Sequence, residues 1–277
     1  MVPFEGHAPP GDSAEMDDAA LLDALEKLAL AAGPVVMEAF VNGCAVERKD
    51  DDSPVTVADR ESERIIVEGL RRILPQTPIV AEEATAAGDC PADPGREFLL
   101  VDPLDGTREF VEGRPEFTVN IALVRDGAPA LGVVYAPASS VLYSGRPGHA
   151  QKAQVADDFT IAARQHISAR TRPGIPVVVA SRSHRAPETD AYIATLPQAE
   201  IVSIGSSLKF GLLAAGQADL YPRFGPTMQW DTAAGDAVLR AAGGLTTTQD
   251  GAPLLYGPRQ DAILGKFMNP AFIARGA

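Results

Sequence analysis

A chain of 277 residues, 45% of them hydrophobic, is long enough for one large α/β unit or two subdomains around a sizeable core. Its 37 acidic residues outnumber 24 basic ones and leave a net charge of -13, which disfavours nonspecific attraction to a nucleic-acid polymer or an anionic membrane. An anionic substrate would therefore need local help from metal ions or a few placed Lys and Arg.

Cys44 and Cys90 stand outside any CxxC arrangement, read as idle thiols and fit a reducing, cytoplasmic setting. The stretch from Met1 to Asp18 lacks a basic region followed by an apolar one and is not read as a signal peptide. The apolar run from Leu28 to Val41 is broken by Gly33, Pro34 and Glu38 and is too short to span a bilayer. No membrane insertion is expected, and peripheral contact with an inner membrane is left open.

In chain order, residues 1–13 read as a flexible lead-in rich in Pro and Gly, with Asp12 or Ser13 as a helix cap. Leu21, Leu25, Leu28, Ala32 and Val36 recur at helical spacing, and Pro34 is expected to kink or interrupt that helix. The acidic triplet Asp50 to Asp52 could be a solvated turn, the reading preferred for Asp50 and Asp52. Thr56 is the expected cap of a second helix, which carries Ile65, Ile66, Leu70 and Ile73, holds Asp59 in its first turn and stops at Pro75. Pro78 to Ala81 is a short strand that runs into Glu82-Glu83, and Ala84 to Gly95 is a surface loop. Phe98 to Val101 is a buried strand, and a helix can open near Arg108.

Phe117 to Val124 and Ala130 to Ala136 form a hairpin through Arg125-Asp126-Gly127-Ala128, with a third strand near Val141. Pro147 to Arg172 is polar and weakly patterned. Beyond it, strands at Ile175, Glu200, Ala218, Gly244 and Ala262 alternate with helices at Pro187, Ser206 and Thr232, which implies a layered α/β sheet. The expected organisation is an α+β subdomain over residues 14–170 and an α/β subdomain over 171–277.

Chemistry gathers where strands end. Asp102 and Asp105 are stiffened by Pro103 and released by Gly106, and with the Leu104 carbonyl they can hold a cation; read blandly, Asp-Pro and Asp-Gly are only turns. Glu82-Glu83 can be a polar loop entry, and Trp230-Asp231 a capped helix. Gly205, Ser206, Ser207 and Lys209 combine close backbone approach, hydroxyls and an ammonium, an arrangement suited to an anion, although Gly-Ser-Ser caps are common.

Taken together, Glu82-Glu83, Asp102-Pro103-Leu104-Asp105-Gly106-Thr107 and Trp230-Asp231-Thr232-Ala233-Ala234-Gly235 resemble the inositol monophosphatase superfamily of metal-dependent, lithium-sensitive phosphatases. Ser53 to Thr56, Phe117 to Leu123, Ser181 to His184, Ser203 to Phe210 and Leu220 to Thr227 resemble its bacterial CysQ branch of 3'(2'),5'-bisphosphate nucleotidases. The resemblance covers residues from about 20 to about 270.

It implies an αβαβα sandwich of two subdomains, the first carrying most metal ligands and the second the substrate-binding residues and Asp231. It further implies two or three Mg²⁺ ions held by Glu82, Asp102, the Leu104 carbonyl, Asp105 and Asp231. An all-oxygen set without a Cys or His cluster favours Mg²⁺ over Zn²⁺. Asp102 could bridge two ions about 4 Å apart. The implied catalytic group is Glu82, Thr107 and Asp59: Glu82 and the Thr107 hydroxyl orient the attacking water, and Asp59 holds Thr107.

The Gly106 and Thr107 N–H groups would hold phosphate oxygens, with Gly205, Ser206, Ser207, Lys209, Arg223 and Asp231 on the substrate. Where the inositol branch carries a carboxylate that recognises sugar hydroxyls, this chain has Arg223, which suits a second phosphate, as Lys209 does. His184 either lines the nucleotide pocket or caps a loop, and Asp51 lies in the loop beside the metals. The implied activity is hydrolysis of the 3'-phosphate of 3'-phosphoadenosine 5'-phosphate to AMP, with related action on its sulfated analogue, in sulfate assimilation. The partner is a small-molecule nucleotide, and the protein is a monomer or homodimer. An inositol or fructose-bisphosphate phosphatase is the nearest alternative, and an inactive nucleotide-binding regulator the next.

Overall fold

In a computed structural model that describes residues 16–49, 53–171, 174–183, 185–196, 198–260 and 265–277, the first element is the helix α1 (Asp18–Asn42). Asp17 caps it by accepting from the Ala20 N–H at 2.8 Å, and the expected caps Asp12 and Ser13 lie outside the described residues. The helix runs through Pro34 without a break, contrary to the expectation. Proline removes one N–H, but Leu30, Ala32, Gly33 and Val36 on both sides of it are buried, and that packing outweighs one lost bond.

The short strands β1 (Val46–Arg48) and β2 (Pro54–Thr56) pair antiparallel, with the acidic triplet between them outside the described residues. Helix α2 (Val57–Ile73) starts at Thr56 as expected, with a reciprocal capping box between Thr56 and Asp59. Strand β3 (Ile79–Ala81) leads directly into a helical turn, α3 (Glu82–Ala86), where the sequence suggested the start of a loop. The Glu63 carboxylate on α2 explains it, accepting the Glu83 and Ala84 N–H groups at 2.7 and 2.8 Å.

A seven-stranded sheet takes the strands in chain order: β3, β4 (Glu97–Asp105), β5 (Thr118–Arg125), β6 (Ala128–Ala136), β7 (Val141–Arg146), β8 (His149–Val155) and β9 (Ile161–His166). Its pairs are antiparallel except β3 with β4. β4 continues through the acidic motif to Asp105, with a register shift between Asp102 and Asp105, and then turns into α4 (Thr107–Val111). The stretch that looked unpatterned holds β8 and β9. The edge strand β9 is exposed along most of its length, so no apolar alternation marks it.

The second sheet has the order β11 (Glu200–Ile204), β10 (Val177–Ser181), β12 (Leu220–Arg223), β14 (Phe272–Arg275), β13 (Leu245–Thr248). Parallel pairing of β10 with β11 and β12 and antiparallel pairing around β14 make it mixed. The helices of this half are α5 (Pro187–Ala194), α6 (Leu208–Ala214) and α7 (Ala233–Ala241). The last strand is Phe272–Arg275; most of the expected strand from Ala262 lies outside the described residues.

Helices α1 and α2 cover one face of the larger sheet, α6 and α7 lie between the sheets, and α5 packs on the far side. The result is the expected αβαβα layering. Close packing of α7 depends on Gly132 of β6: a methyl there would stand 2.2 Å from the Ala234 carbonyl oxygen. Asp231 stands one residue before the Thr232 cap of α7, so the glycine that seats the helix also fixes where that carboxylate lies.

Candidate active site

Where β3 and β4 end, and where α6 and α7 begin, the chain encloses a pocket of about 740 Å³. Glu82, Asp102, Leu104, Asp105, Gly106, Thr107, Ser206, Ser207, Lys209, Arg223 and Asp231 all line it, so residues 149 positions apart in sequence share one cavity. Asp59 is buried behind the wall and reaches the site through Thr107. Gly205 is also buried behind it. A methyl on Gly205 would meet the Glu116 carbonyl oxygen at 2.8 Å, and one on Gly106 would meet the same oxygen at 2.9 Å. Gly106 itself adopts φ 93°, which other residues rarely take. His184 and Asp51 lie outside the described residues.

The carboxylates crowd one another at the pocket wall, where Asp102 is fully buried and the others partly so. Burial drives Asp102 well above the usual carboxylate range, and the charges of Glu82, Asp105 and Asp231 push it the same way. Asp231 is likewise raised well above that range by burial, then by Asp105 and Glu82. Burial raises Asp105 too, against the opposing pull of Lys209 and the Ser207 hydroxyl. Glu82 is raised by burial and partly held down by Lys49.

Four acidic groups that disfavour one another's ionisation form an unbalanced negative site, which a hard divalent cation would balance. All the donors that face it are oxygens. The Leu104 carbonyl already accepts from the Thr107 hydroxyl at 3.0 Å, and the Leu104 N–H donates to Asp102 Oδ1 at 3.0 Å, which orients that carboxylate. Among the described residues, no three His, Cys, Asp or Glu are drawn together tightly enough to form a ready chelate. The donor set fits the ion in kind.

Thr107 hydroxyl geometry links the pocket to α2. Its oxygen lies 3.2 Å from Asp59 Oδ1, while Asp59 Oδ2 accepts from the Thr56 N–H and hydroxyl, each at 2.7 Å. Burial raises Asp59, and the two Thr56 bonds oppose the rise. Asp59 therefore has both of the duties the sequence allowed it, cap and partner of Thr107. The hydroxyl has one proton for two acceptors, Asp59 and the Leu104 carbonyl, and its lone pairs remain available to a donor in the pocket.

Several contacts carry no sequence signal. Lys49 Nζ bridges Glu82 and Glu83 at 2.6 Å each; burial disfavours the ammonium, but the two carboxylates outweigh that and hold it above its ordinary value. Its partners lie 33 and 34 positions away, so spacing gives no hint of them. Asn120 on β5 donates to the Ser207 hydroxyl at 3.0 Å. Glu109, buried beside the motif, accepts from the Ser183 hydroxyl at 2.5 Å. Lys209 donates to the Ser206 and Ile204 carbonyls at 2.5 and 3.4 Å, lies 5.1 Å from the Tyr221 ring centroid, and is lowered by burial to about 8. Arg223 donates to the Gly225 and Pro226 carbonyls at 3.2 and 2.5 Å.

This architecture, a layered αβαβα core with acidic strand ends around one cavity, has clear counterparts. The model of the inositol monophosphatase family matches residues 17–273, and the chain belongs to that family. It is 45% identical over 255 residues to a Salmonella typhimurium protein called 3'(2'),5'-bisphosphate nucleotidase CysQ, which spans 91% of this chain and 98% of the relative. The Escherichia coli protein of the same name is similar to the same extent. Among solved structures, CysQ from Bacteroides thetaiotaomicron superposes with a TM-score of 0.73 at 35% identity, covering 92% of this chain and 97% of that one. An IMPase from Thermotoga maritima gives 0.71 at 27% identity, over 92% and 91%.

Proposed function

We propose that the chain is a magnesium-dependent 3'(2'),5'-bisphosphate nucleotidase that hydrolyses the 3'-phosphate of 3'-phosphoadenosine 5'-phosphate to give AMP and phosphate. The observation that carries the reading is the meeting of Glu82, Asp102, Asp105 and Asp231 in one cavity that also holds Lys209 and Arg223. Likeness at 45% identity to enzymes of that name supports it over the inositol and fructose-bisphosphate alternatives. In this reading the first 170 residues supply most of the cation ligands, and the later ones supply Asp231 and the substrate contacts.

Glu82, Asp102, the Leu104 carbonyl, Asp105 and Asp231 would hold Mg²⁺, which when bound would supply Lewis-acid polarisation and charge neutralisation at phosphorus. The protein's own part is orientation. Thr107 donates its proton to Asp59, 3.2 Å away, and so turns a lone pair toward the attacking water, which Glu82 aligns from the other side. Gly106 and Thr107 N–H groups steady the phosphate oxygens, and Asp231 serves both the cation and the substrate. Ser206 and Ser207 shape the wall, and the buried charges of Lys209 and Arg223 favour a substrate with a second phosphate. Among the described residues no helix is long and apolar enough to cross a membrane. The acidic and cationic lining of the pocket fits a small-molecule nucleotide as partner.

A panel containing 3'-phosphoadenosine 5'-phosphate, inositol 1-phosphate and fructose 1,6-bisphosphate, assayed by phosphate release under Mg²⁺ titration and Li⁺ inhibition, tests the reading. The nucleotide should have the highest kcat/KM. Preference for inositol 1-phosphate would overturn the assignment.

A further inference from the structure

Helix α2 meets the back of the active-site wall along one polar face. Ser62 and Glu63 stand three and four positions beyond Asp59, which puts all three on the same side of the helix, and their exposures are only 2% for Asp59, 0% for Ser62 and 8% for Glu63. None of the three lines the pocket. Each holds a segment that does. Asp59 lies 3.2 Å from the Thr107 hydroxyl, the Ser62 hydroxyl donates to the Pro103 carbonyl at 2.9 Å, and Glu63 accepts the Glu83 and Ala84 N–H groups. Pro103 stands between Asp102 and Leu104, and Glu83 follows Glu82, so the contacts fall beside separate parts of the acidic site.

Glu82 depends most on this support. It opens α3, a helix of five residues whose N-cap, Ala81, offers no side-chain acceptor. So short a helix is not stable by itself, and its first N–H groups have no partner within it. Glu63 supplies the missing acceptors from another element, Oε2 for the Glu83 N–H at 2.7 Å and Oε1 for the Ala84 N–H at 2.8 Å.

Burial pushes the Glu63 carboxyl up to about 7, against the pull of these two N–H bonds. An apolar residue at this position would escape that penalty but leave two N–H groups of the Glu82 turn without a partner. The Lys49 ion pair acts at the tip of the Glu82 side chain, whereas Glu63 acts on the turn that carries it.

Resting on the reading of Glu82 as a cation ligand of the nucleotidase, we infer that Glu63 is a positioning residue for the hydrolysis: from behind the pocket wall it fixes the turn that aims Glu82 at the cation and the attacking water.

The test separates this role from plain structural support. Glu63→Gln keeps the shape of the side chain but leaves one acceptor for two N–H groups. Mg²⁺ binding to the protein alone, followed by isothermal titration calorimetry, should weaken about tenfold in this variant. The kcat for 3'-phosphoadenosine 5'-phosphate should also fall about tenfold, with KM within about twofold of wild type, because no substrate contact is removed. In a Glu82→Gln background, Glu63→Gln should add less than about twofold to either loss, since the residue it acts through is already changed. Glu63→Asp, one methylene too short to hold both N–H groups, should show the same losses in milder form and carries the comparison if the amide variant folds poorly. A lowered melting temperature with wild-type Mg²⁺ affinity and kcat, or losses that multiply fully in the double variant, overturns the inference. A wild-type protein that binds Mg²⁺ but releases no phosphate from the nucleotide overturns the nucleotidase reading and leaves calorimetry to decide whether Glu63 sets Glu82. One that binds no Mg²⁺ overturns both.

Discussion

Ser207 places its hydroxyl 2.9 Å from Asp105 Oδ2, joining the start of α6 to the end of β4 across 102 residues of sequence. The same oxygen contacts the Asp231 carbonyl and accepts from the Asn120 amide, so one small side chain holds together the two halves of the acidic site. Its single proton can satisfy Asp105 or the Asp231 carbonyl at one moment, and Asn120 directs that proton outward by occupying the lone pair behind it.

Ser207→Ala should therefore loosen the orientation of Asp105 without removing a ligand. The expected result is a loss of about tenfold in kcat and a several-fold rise in the Mg²⁺ concentration for half-activity, with about 1 kcal/mol of stability lost in urea unfolding. An unchanged Mg²⁺ dependence would show that Ser207 serves packing alone.

Thr107 and Asp59 should behave as one unit. Thr107→Val and Asp59→Asn are each expected to lower kcat by about a hundredfold, and the double variant should be little worse than either. Asp59→Asn also weakens the Thr56 capping box and should cost about 1 kcal/mol of stability, whereas Thr107→Val should not affect the cap. Fully multiplicative losses in kcat would separate the two residues.

Lys49 pairs with both Glu82 and Glu83, and that ammonium must share Glu82 with any cation bound there. Lys49→Met should destabilise the protein in EDTA by about 2 kcal/mol, because it leaves partly buried carboxylates unpaired. Saturating Mg²⁺ should give back more melting temperature in the variant than in wild type. Differential scanning calorimetry with and without the ion reads both effects.

Burial lowers Lys209 to about 8, so the pH at which it discharges falls inside an accessible range. The sign is that of a depressed lysine: the positive charge is present below about pH 8 and is lost as pH rises through it. The kcat/KM for the bisphosphate should decline on the alkaline side with an apparent pKa near 8. Lys209→Arg, which stays charged, should move that limb upward. A limb that does not move in the variant would assign it to another group.

Much of this site could be read locally. The Asp102 to Thr107 motif follows a buried apolar run, Thr56 and Asp59 have capping spacing, and Asp126-Gly127 makes a tight turn whose two residues both have positive φ. Legibility failed where the deciding partner was remote or the pattern was two-sided. Lys49 meets Glu82 and Glu83, Glu63 caps α3, and Asn120 meets Ser207 only after the sheets assemble. Strand β9, at the sheet edge, carries polar residues and is exposed along most of its length, and burial on both sides of Pro34 overrode its helix-breaking tendency. Motifs at strand ends were legible because chemistry there is set by a few consecutive residues, whereas their mutual distances belong to the tertiary fold.

The central claim is that this pocket cleaves the 3'-phosphate and spares the 5'-phosphate, using a divalent ion held by Asp102. Incubation with 3'-phosphoadenosine 5'-phosphate and Mg²⁺, with products separated by chromatography, tests it most directly. The account predicts AMP and phosphate in equal amounts, with turnover abolished by EDTA and reduced by several orders of magnitude in Asp102→Asn. Adenosine 3'-monophosphate as the product, or undiminished turnover in EDTA, would contradict it.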